Sequence, residues 1–290
     1  MIIIEVSGGL GNQLFQYAFA RKLSLLLGCE IKFDVNHFSN NKLRTFELGK
    51  LNTVGKIATL EDIKSVRLEK SIFSLLKRKY NTLIRPYYKR NIVGEKSFNF
   101  DKNLLAINSN AYVSGYFQTE KYFKSIETIL REELTPRANI LSSTFFAIQS
   151  DIRSNSSVSI HIRRGDYVNN PEAFSAHGIC ELDYYKSALK HIKSKITDPV
   201  FYVFSDDIEW CTQNIITESP TFFINNTQNH FEDLFLMASC KHNIIANSSF
   251  SWWGAWLNTN ANKIVIAPQK WFNNRCEDTQ DLIPESWIQM

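Results

Sequence analysis

The sequence predicts an α/β protein of two domains, each built on a parallel β-sheet. Three observations support this prediction. The chain has 290 residues with a hydrophobic content of 44%, which is enough for two cores of ordinary size. Its first 34 residues follow a strand, helix, strand pattern. From Val158 onward strands alternate with helices at regular spacing, which is typical of a doubly wound parallel sheet.

The amino-terminal domain opens with the strand "IIIEV", the loop "SGGLGNQ", a helix with apolar residues at helical spacing, and the strand "IKFD". The loop lacks the third glycine of a G-x-G-x-x-G dinucleotide fingerprint. Its glycines, Gly11 among them, would still let the backbone approach a ligand closely. Asn12 and Gln13 would offer amide donors at the start of the helix.

The middle of the chain is less regular until "AYVSGYFQ" at residues 111–118, which predicts a strand. Residues 119–134 predict a helix with Thr119 as its N-cap. The polar stretch "RSNSS" then marks a boundary, so we predict domains at residues 1–150 and 151–290.

The carboxy-terminal domain contains the clearest alternation of elements. Its segments are strand "VSIHI", a helix from Asp183 to Lys195, strand "VFYVF", a helix near Ile208, strand "TFFIN", helix "HFEDLFLMASC", strand "NIIAN", a short helix after "SSFSWWGAWL", and strand "KIVIAP". Polar motifs follow three strands: "RRGDY", "SDD" and "NSSFSWW". Ligands of such sheets bind outside the carboxyl ends of the strands, so we expect these motifs to share one site.

Charge and cysteine content narrow the function classes. A net charge of +4 is too small for a dedicated nucleic-acid-binding protein. Residues 64–90 carry nine Lys or Arg and one acid, and predict either a basic amphipathic surface on an anionic membrane or a solvated basic face. Five widely spaced cysteines without a C-x-x-C pair indicate free thiols in a reducing compartment. The sequence has no signal-peptide pattern and no membrane-spanning run, so we expect a cytoplasmic protein. The basic stretch leaves peripheral contact with the inner membrane open.

Arg163 and Arg164 could neutralise a diphosphate, because guanidinium groups are planar, permanently charged forks. Neighbouring strand residues point to opposite faces, so one arginine would face the ligand while the other braces the loop. A structural pair with Asp166 is the alternative. "NSSFS" at residues 247–251 could form an anion site at a helix start or an ordinary N-cap, and the acids of "FSDD" could bind a nucleoside or simply begin a helix.

Five motifs, in this order and at these spacings, resemble the bacterial α-1,2-fucosyltransferases of glycosyltransferase family 11: "GGLGNQLFQYAFA", "GYFQTEKYF", "HIRRGDY", "FSDD" and "NSSFSWWGAWL". The resemblance covers nearly the whole chain and is weakest at residues 40–95. It implies a GT-B-like arrangement of two Rossmann-like domains whose parallel sheets face a central cleft. Residues 1–150 would hold the acceptor and residues 151–290 would bind GDP-fucose. It also implies inversion at the fucose carbon, with no cofactor and no essential metal.

The resemblance also implies roles for single residues. Related fucosyltransferases use an H-x-R strand end for diphosphate and guanine, an acid after the next strand for the base, and a later Ser or Thr loop for phosphate. The donor-binding residues carried over are His161, Arg163, Arg164, Asp206, Asn247, Ser248, Ser249, Phe250 and Gly11. Arg163 would stabilise the charge that grows on the β-phosphate, and Asn12 matches an asparagine that protein O-fucosyltransferases bring to the reaction centre.

A base must also take the proton of the acceptor hydroxyl. Asp166 is the first candidate and His177 the second, followed by Glu181 or Asp183. The predicted acceptor contacts are Gln13, Tyr116, Gln118 and Trp253, although aromatic residues on a helix are also typical of a core.

The predicted function is transfer of L-fucose from GDP-fucose to O2 of a terminal galactose. The acceptor would be a galactose-terminated O-antigen, lipopolysaccharide or lactose-type oligosaccharide, free or lipid-linked. Two alternatives stay open: a transferase that uses another nucleotide sugar, and a non-catalytic protein that binds a nucleotide or glycan.

Overall fold

A computed structural model describes residues 1–39, 44–67, 76, 79–80, 83–137, 140–165, 175, 178–273 and 279–290. These residues form an α/β fold with two parallel sheets, which confirms the predicted class. The chain divides into two compact units, residues 1–137 with 277–282 and residues 138–276 with 283–290. Each unit contains one of the sheets.

The first unit has five strands in the order β3-β2-β1-β5-β4. They are β1 (Ile2–Glu5), β2 (Ile31–Asp34), β3 (Lys56–Ile57), β4 (Ile92–Gly94) and β5 (Ala111–Ser114). The central strand β1 pairs in parallel with β2 and β5. Its isoleucines Ile2, Ile3 and Ile4 are completely buried, as expected for a parallel strand covered on both faces.

Two helices of the first unit show why the sequence folds this way. Helix α1 (Leu10–Leu27) follows the glycine loop and ends at Gly28, whose φ of 59° suits a residue without a Cβ. Helix α2 (Leu60–Arg67) packs Ile63 and Val66 against the sheet. The predicted strand, helix, strand order of the first 34 residues is therefore confirmed.

The helix predicted over residues 119–134 is interrupted. The chain forms 3₁₀ turns at Glu120–Tyr122 and Lys124–Ile126 before helix α3 (Glu127–Glu133) begins. Thr119 does act as a cap, since its side chain accepts the N–H of Lys121. Tyr122 and Phe123 are both fully buried, and adjacent residues of an α-helix point about 100° apart. Breaking the helix lets both rings reach the core.

The second unit contains the regular alternation that the sequence predicts. Its strands, in the order β11-β10-β9-β6-β7-β8, are β6 (Ser156–Ile162), β7 (Pro199–Ser205), β8 (Thr221–Ile224), β9 (His242–Ile244), β10 (Val265–Ala267) and β11 (Ile288–Gln289). Its helices are α4 (Ser143–Ser154), α5 (Leu182–Lys195), α6 (Ile208–Asn214), α7 (His230–Ser239) and α8 (Ser249–Leu257). All the strand pairs are parallel.

The basic stretch 64–90 is described only in part. Several of its apolar side chains are exposed, at 59% to 78%: Leu76, Tyr80, Leu83 and Ile84. Lys77 and Arg78 lie outside the described residues. Among the helices that the structure does describe, none is both long enough and apolar enough to cross a membrane.

Candidate functional site

The candidate site is at the carboxyl edge of the second sheet. Strand β6 has β7 and β8 on one side and β9, β10 and β11 on the other. The direction in which the chain adds strands therefore reverses between β6 and β9, and open α/β sheets bind ligands at such reversals. The "RRG", "SDD" and "NSSFS" residues follow β6, β7 and β9 at this edge. The fold thus brings three predicted motifs to one edge.

Arg163 and Asp206 form an ion pair across the ends of β6 and β7. The strand register pairs Ile162 with Ser205, so the next residue of each chain reaches the same level. Arg163 Nη1 lies 2.8 Å from Asp206 Oδ2, and the two side chains are 24% and 25% exposed. The register therefore fixes a guanidinium at the strand end while part of it stays in contact with solvent.

Arg164 has different partners. Its Nε donates to Asp207 Oδ2 at 3.1 Å, and its guanidinium carbon lies 3.8 Å from the centre of the Trp210 ring. Asp207 also caps helix α6, because its Oδ1 accepts the N–H of Trp210 at 3.1 Å. These contacts brace the loop after β7 through Arg164. Whether Arg164 also contacts the donor stays a prediction.

His161 lies two residues before Arg163 on β6 and is 6% exposed. Its Nδ1 has no hydrogen-bond partner within the described part of the chain. Burial, and then the Arg163 cation, lower the pKa of the imidazole from 6.5 to about 4, while Asp206 acts in the opposite direction. The ring is therefore neutral near pH 7, with one nitrogen that can donate and one that can accept.

Helix α8 begins beside this histidine. Ser248 is its N-cap, with Oγ accepting the N–H of Phe250 at 3.3 Å. The Phe250 ring centre lies 5.8 Å from that of His161. Ser248, Ser249 and Phe250 are all partly exposed, so an anion could meet the positive end of the helix dipole here.

Two predicted residues of the same motif are buried. Asn247 is 4% exposed, and its Nδ2 donates to the carbonyls of Gly178 and Trp271 at 3.4 and 3.2 Å. Trp253 has no exposed surface and packs edge-on against Trp252 and Trp256, with ring centres 5.1 Å apart. An acceptor contact through Trp253 would require helix α8 to repack.

The carboxyl edge of the first sheet brings Asn12 and Gln118 together. Gln118 Nε2 donates to Asn12 Oδ1 at 2.9 Å, and Gln118 is 6% exposed. Tyr116 next to it is 38% exposed. Gly11 is buried in the first turn of α1. A sugar at this edge could therefore reach Asn12 and Tyr116 more readily than Gln118.

Gln13 is completely buried and holds the backbone in place. Its Nε2 donates to the carbonyls of Gly8 and Thr45 at 3.0 and 2.8 Å, and its Oε1 accepts the N–H of Glu47 at 2.9 Å. The amide nitrogen and the oxygen of Gln13 therefore already form hydrogen bonds with the backbone. A contact with an acceptor would have to replace one of these bonds.

Sequence reasoning missed Glu95, which follows β4 at the same edge. Its carboxylate accepts the N–H of Tyr116 at 2.7 Å and the N–H of Phe117 at 3.0 Å. Phe117 has φ of 55°, unusual for a residue with a side chain, and Gly115 could not carry a Cβ because Glu95 Cβ would lie 2.4 Å away. Burial raises the pKa of the Glu95 carboxyl, and the bonds from Phe117 and Tyr116 oppose this. The available signal was an acid directly after a short strand.

The four proposed bases fall into two groups. Asp166 and His177 lie outside the described residues. Glu181 precedes α5 and is exposed, and the Asp183 side chain is 88% exposed and pairs with Lys186. In the parts of the chain that the structure describes, no three His, Cys, Asp or Glu side chains group as a metal site would need.

The sequence of this chain is similar to those of several known glycosyltransferases. The alpha-1,2-colitosyltransferase of Escherichia coli is 36% identical over 302 residues, covering 100% of this chain and 99% of that protein. The E. coli O-antigen biosynthesis glycosyltransferase WbnK is 34% identical over 304 residues, covering 98% and 99%. The mouse (Mus musculus) galactoside 2-alpha-L-fucosyltransferase Sec1 is 29% identical over 138 residues, covering 45% of this chain and 37% of its own length.

The fold has a solved counterpart. The structure of an Arabidopsis thaliana FUT1 mutant in complex with GDP matches with a TM-score of 0.53 at 10% identity, covering 92% of this chain and 70% of that one. This likeness confirms the predicted GT-B class. The sequence model of glycosyl transferase family 11 matches residues 1–290. The chain therefore belongs to glycosyl transferase family 11.

Proposed function

We propose that this glycosyltransferase moves L-fucose from GDP-fucose to O2 of a terminal galactose, with inversion at the fucose carbon. The observation that carries the proposal is the group at the sheet reversal: Arg163 fixed by Asp206, beside the buried neutral His161. The α-1,2 linkage in the name of the colitosyltransferase, similar over its full length, supports the choice of acceptor position.

Arg163 would act on the leaving group. When the sugar departs, negative charge grows on the β-phosphate, and a guanidinium already in position stabilises that charge more in the transition state than in the ground state. GDP is a weak base and leaves without a proton, so a general acid is not required. We further propose that this charge is met by Arg163 and the N-terminus of α8 without an essential metal, as the family resemblance implies.

His161 would bind rather than transfer a proton. Its pKa of about 4 keeps the ring neutral in the working range of most transferases. A neutral imidazole whose Nδ1 has no partner among the described residues suits a phosphate oxygen or a base nitrogen, depending on which nitrogen carries the proton. Leaving that nitrogen buried and unpaired is costly, so a ligand that bonds to it gains accordingly.

On the acceptor side, Asn12 and Tyr116 would position the galactose. The Asn12 oxygen accepts from Gln118 Nε2, which orients the Asn12 side chain at this edge. Asp166 remains the first candidate for the base and His177 the second.

The donor sugar has a specific second candidate. Colitose is the 3-deoxy form of L-fucose, so the two sugars share every group except the hydroxyl at C3. The similarity to the colitosyltransferase favours GDP-colitose as the alternative donor. Turnover of both donors by the same preparation, compared as kcat/KM, decides between them.

The test is release of GDP from each donor with lactose or N-acetyllactosamine, in EDTA, with the product linkage determined by NMR. We expect acceptor-dependent release, an α-1,2 linkage to galactose, and a loss of about 10²- to 10³-fold in kcat in Arg163→Ala. Arg131→Ala is the matched control, because Arg131 pairs with Glu127 on the surface of α3.

Each other result has a defined meaning. GDP binding without turnover of any galactoside would support a non-catalytic protein, and turnover of an unrelated nucleotide sugar would support another transferase. Activity that disappears in EDTA and returns with a divalent cation would contradict the metal-independent mechanism. Full activity in Arg163→Ala would contradict the proposed role of Arg163 in stabilising the leaving group.

We also propose peripheral contact with the inner leaflet of the cytoplasmic membrane through residues 64–90. The exposed Leu76, Tyr80, Leu83 and Ile84 are spaced as on one face of a helix, within a stretch rich in Lys and Arg. Introducing Glu at Leu83 and Ile84 should weaken co-sedimentation with anionic vesicles, whereas Ile216→Glu, at an exposed site elsewhere, should not. Equal binding by both variants would end this proposal.

A further inference from the structure

Asp206 is the residue that the resemblance assigns to the nucleoside base. The structure gives its carboxylate two other partners. We propose that Asp206 is a positioning residue that holds the Arg163 guanidinium and the turn at residues 163–165, and that it does not read guanine. This role rests on the proposed function, because it concerns how the GDP donor is held.

The hydrogen bonds of the carboxylate support this role. Oδ2 pairs with Arg163 Nη1 at 2.8 Å, and Oδ1 accepts the backbone N–H of Arg164 at 2.8 Å. A carboxylate that reads guanine must offer its oxygens to the ring N–H and the exocyclic amine together. Here each oxygen already has a charged or backbone donor within one loop.

The turn also packs directly against the carboxylate. A Cβ added to Gly165 would lie 2.5 Å from Asp206 Oδ2 and 2.9 Å from its Cγ. No side chain tolerates such a contact without movement, so the glycine lets the backbone approach the acid. The approach covers part of the carboxylate that an incoming base would otherwise contact.

The strand register explains why these groups meet. Strands β6 and β7 pair residue for residue from Ser156 with Pro199 to Ile162 with Ser205. Arg163 and Asp206 are the next residues on each chain, so the pair continues the ladder as a side-chain contact. The ion pair joins Nη1 of Arg163 to Oδ2 of Asp206 and so fixes the orientation of the guanidinium at the strand end. A guanidinium is a planar fork, so its orientation decides how it meets a diphosphate.

The experiment compares GDP with inosine diphosphate (IDP), which lacks the exocyclic amine of guanine, by calorimetric titration. For Asp206→Asn we expect GDP and IDP affinities to fall together by on the order of tenfold, with their ratio kept within about twofold. In the Arg163→Ala background the same substitution should cause little further loss, because its effect passes through Arg163. With GDP-fucose as donor, kcat should fall as well as donor affinity, as expected if the charge on the leaving phosphate is less well stabilised.

Asp207→Asn is the matched control, since Asp207 is adjacent and pairs with Arg164 instead. It should show additive loss when combined with Arg163→Ala. Gly165→Ala provides a second route if Asp206→Asn folds poorly, because the new methyl displaces the same carboxylate. It should reproduce the equal loss of GDP and IDP affinity.

The outcomes separate this role from the proposed function. If the unaltered protein binds no GDP, the proposed donor is wrong and this role falls with it. If it binds GDP and Asp206→Asn or Gly165→Ala abolishes a preference for GDP over IDP, the proposed donor stands and Asp206 reads the base. Additive losses in the Asp206→Asn, Arg163→Ala double variant would also overturn the positioning role.

Discussion

The carboxyl edges of the two sheets differ in their polar groups. In the first unit the amides of Gln13, Gln16 and Gln118 are at most 6% exposed and hydrogen-bonded, and one acid, Glu95, accepts backbone N–H groups beside them. In the second unit the edge is built from the pairs of Arg163 and Arg164 with aspartates, whose side chains keep 17% to 36% exposure.

The cost of desolvation explains this difference. An amide can be buried cheaply when all its hydrogen bonds are made, whereas an ion loses several kcal/mol of hydration when it is fully buried. A charge that is to meet a charged ligand, as we propose for Arg163, would therefore stay partly hydrated until the ligand binds. The buried amides hold the shape of the first edge, and the arginines would supply charge at the second.

Replacing the charge of the second edge with an amide should have the largest effect. Arg163→Gln should lower kcat by about 10²- to 10³-fold, because the guanidinium no longer stabilises the leaving phosphate. The melting temperature should change little, since a partly exposed ion pair contributes at most about 1 kcal/mol. Steady-state kinetics and thermal melting on one sample check both parts. A large loss of stability with normal kcat would reverse the assignment.

Gln13→Ala should have its main effect on the stability of the first unit. It leaves the N–H of Glu47 and the carbonyl of Thr45 without their buried partner, so we expect a loss of about 3 kcal/mol in the free energy of unfolding. Urea unfolding followed by far-UV circular dichroism measures this loss.

Tryptophan fluorescence provides a control for that measurement. All six tryptophans lie in the second unit, so their fluorescence reports the unfolding of that unit and not of the one that contains Gln13. Gln149→Ala, which removes the bond from Gln149 on α4 to Ser239 on α7, should cost less than about 1 kcal/mol. If Gln13→Ala proves no worse than Gln149→Ala, the buried amides do not hold the first edge.

His161 should make the second unit sensitive to acid. Its pKa is about 4 in the folded chain and about 6.5 when unfolded, so the unfolded state binds the proton first. The stability tied to the neutral ring is fully present above pH 6.5 and is lost as the pH falls toward 4, by about 2 to 3 kcal/mol. His161→Asn should remove this part of the pH dependence of unfolding, followed by tryptophan fluorescence. An unchanged pH profile in the variant would show that the imidazole is not buried neutral.

Local sequence patterns were sufficient for most of the fold and for only part of the site. Strands β1 and β6 and helix α5 follow from periodicity, and the polar motifs at the ends of β6, β7 and β9 follow from the topology rule. The break at Phe123 did not follow, because it depends on two adjacent rings reaching one core.

The hydrogen-bond and ion-pair partners of polar residues also could not be predicted from the sequence. Asp206 could be placed at a strand end, but its pairing with Arg163 depends on a register between segments more than 40 residues apart. Glu95 gave only the weak signal of a single acid after a three-residue strand. Its role depends on backbone groups more than 20 residues away that turn toward it.

Glu95 should give the first unit the opposite pH dependence, with a smaller effect than that of His161. Burial raises its pKa while the N–H groups of Phe117 and Tyr116 oppose the rise, so the net shift is upward but partly compensated. A raised pKa means that the folded state holds the proton to higher pH than the unfolded state. The associated stability is present below the ordinary glutamate value of about 4.3 and is lost as the pH rises through the folded pKa.

The test compares unaltered protein with Glu95→Gln by far-UV circular dichroism in urea between pH 4 and pH 7. As the pH rises, the free energy of unfolding of the unaltered protein should fall relative to that of Glu95→Gln. The unfolding of the second unit, followed by tryptophan fluorescence, should be the same for both proteins. Glu127→Gln is the matched control for replacing one carboxylate, because the Glu127 side chain lies on the surface of α3 and is 39% exposed. A shift in favour of the unaltered protein with rising pH would mean that the N–H bonds outweigh burial. In that case the Glu95 carboxyl would be charged in the folded protein, and the first edge would hold a buried charge through the two backbone N–H groups of Tyr116 and Phe117.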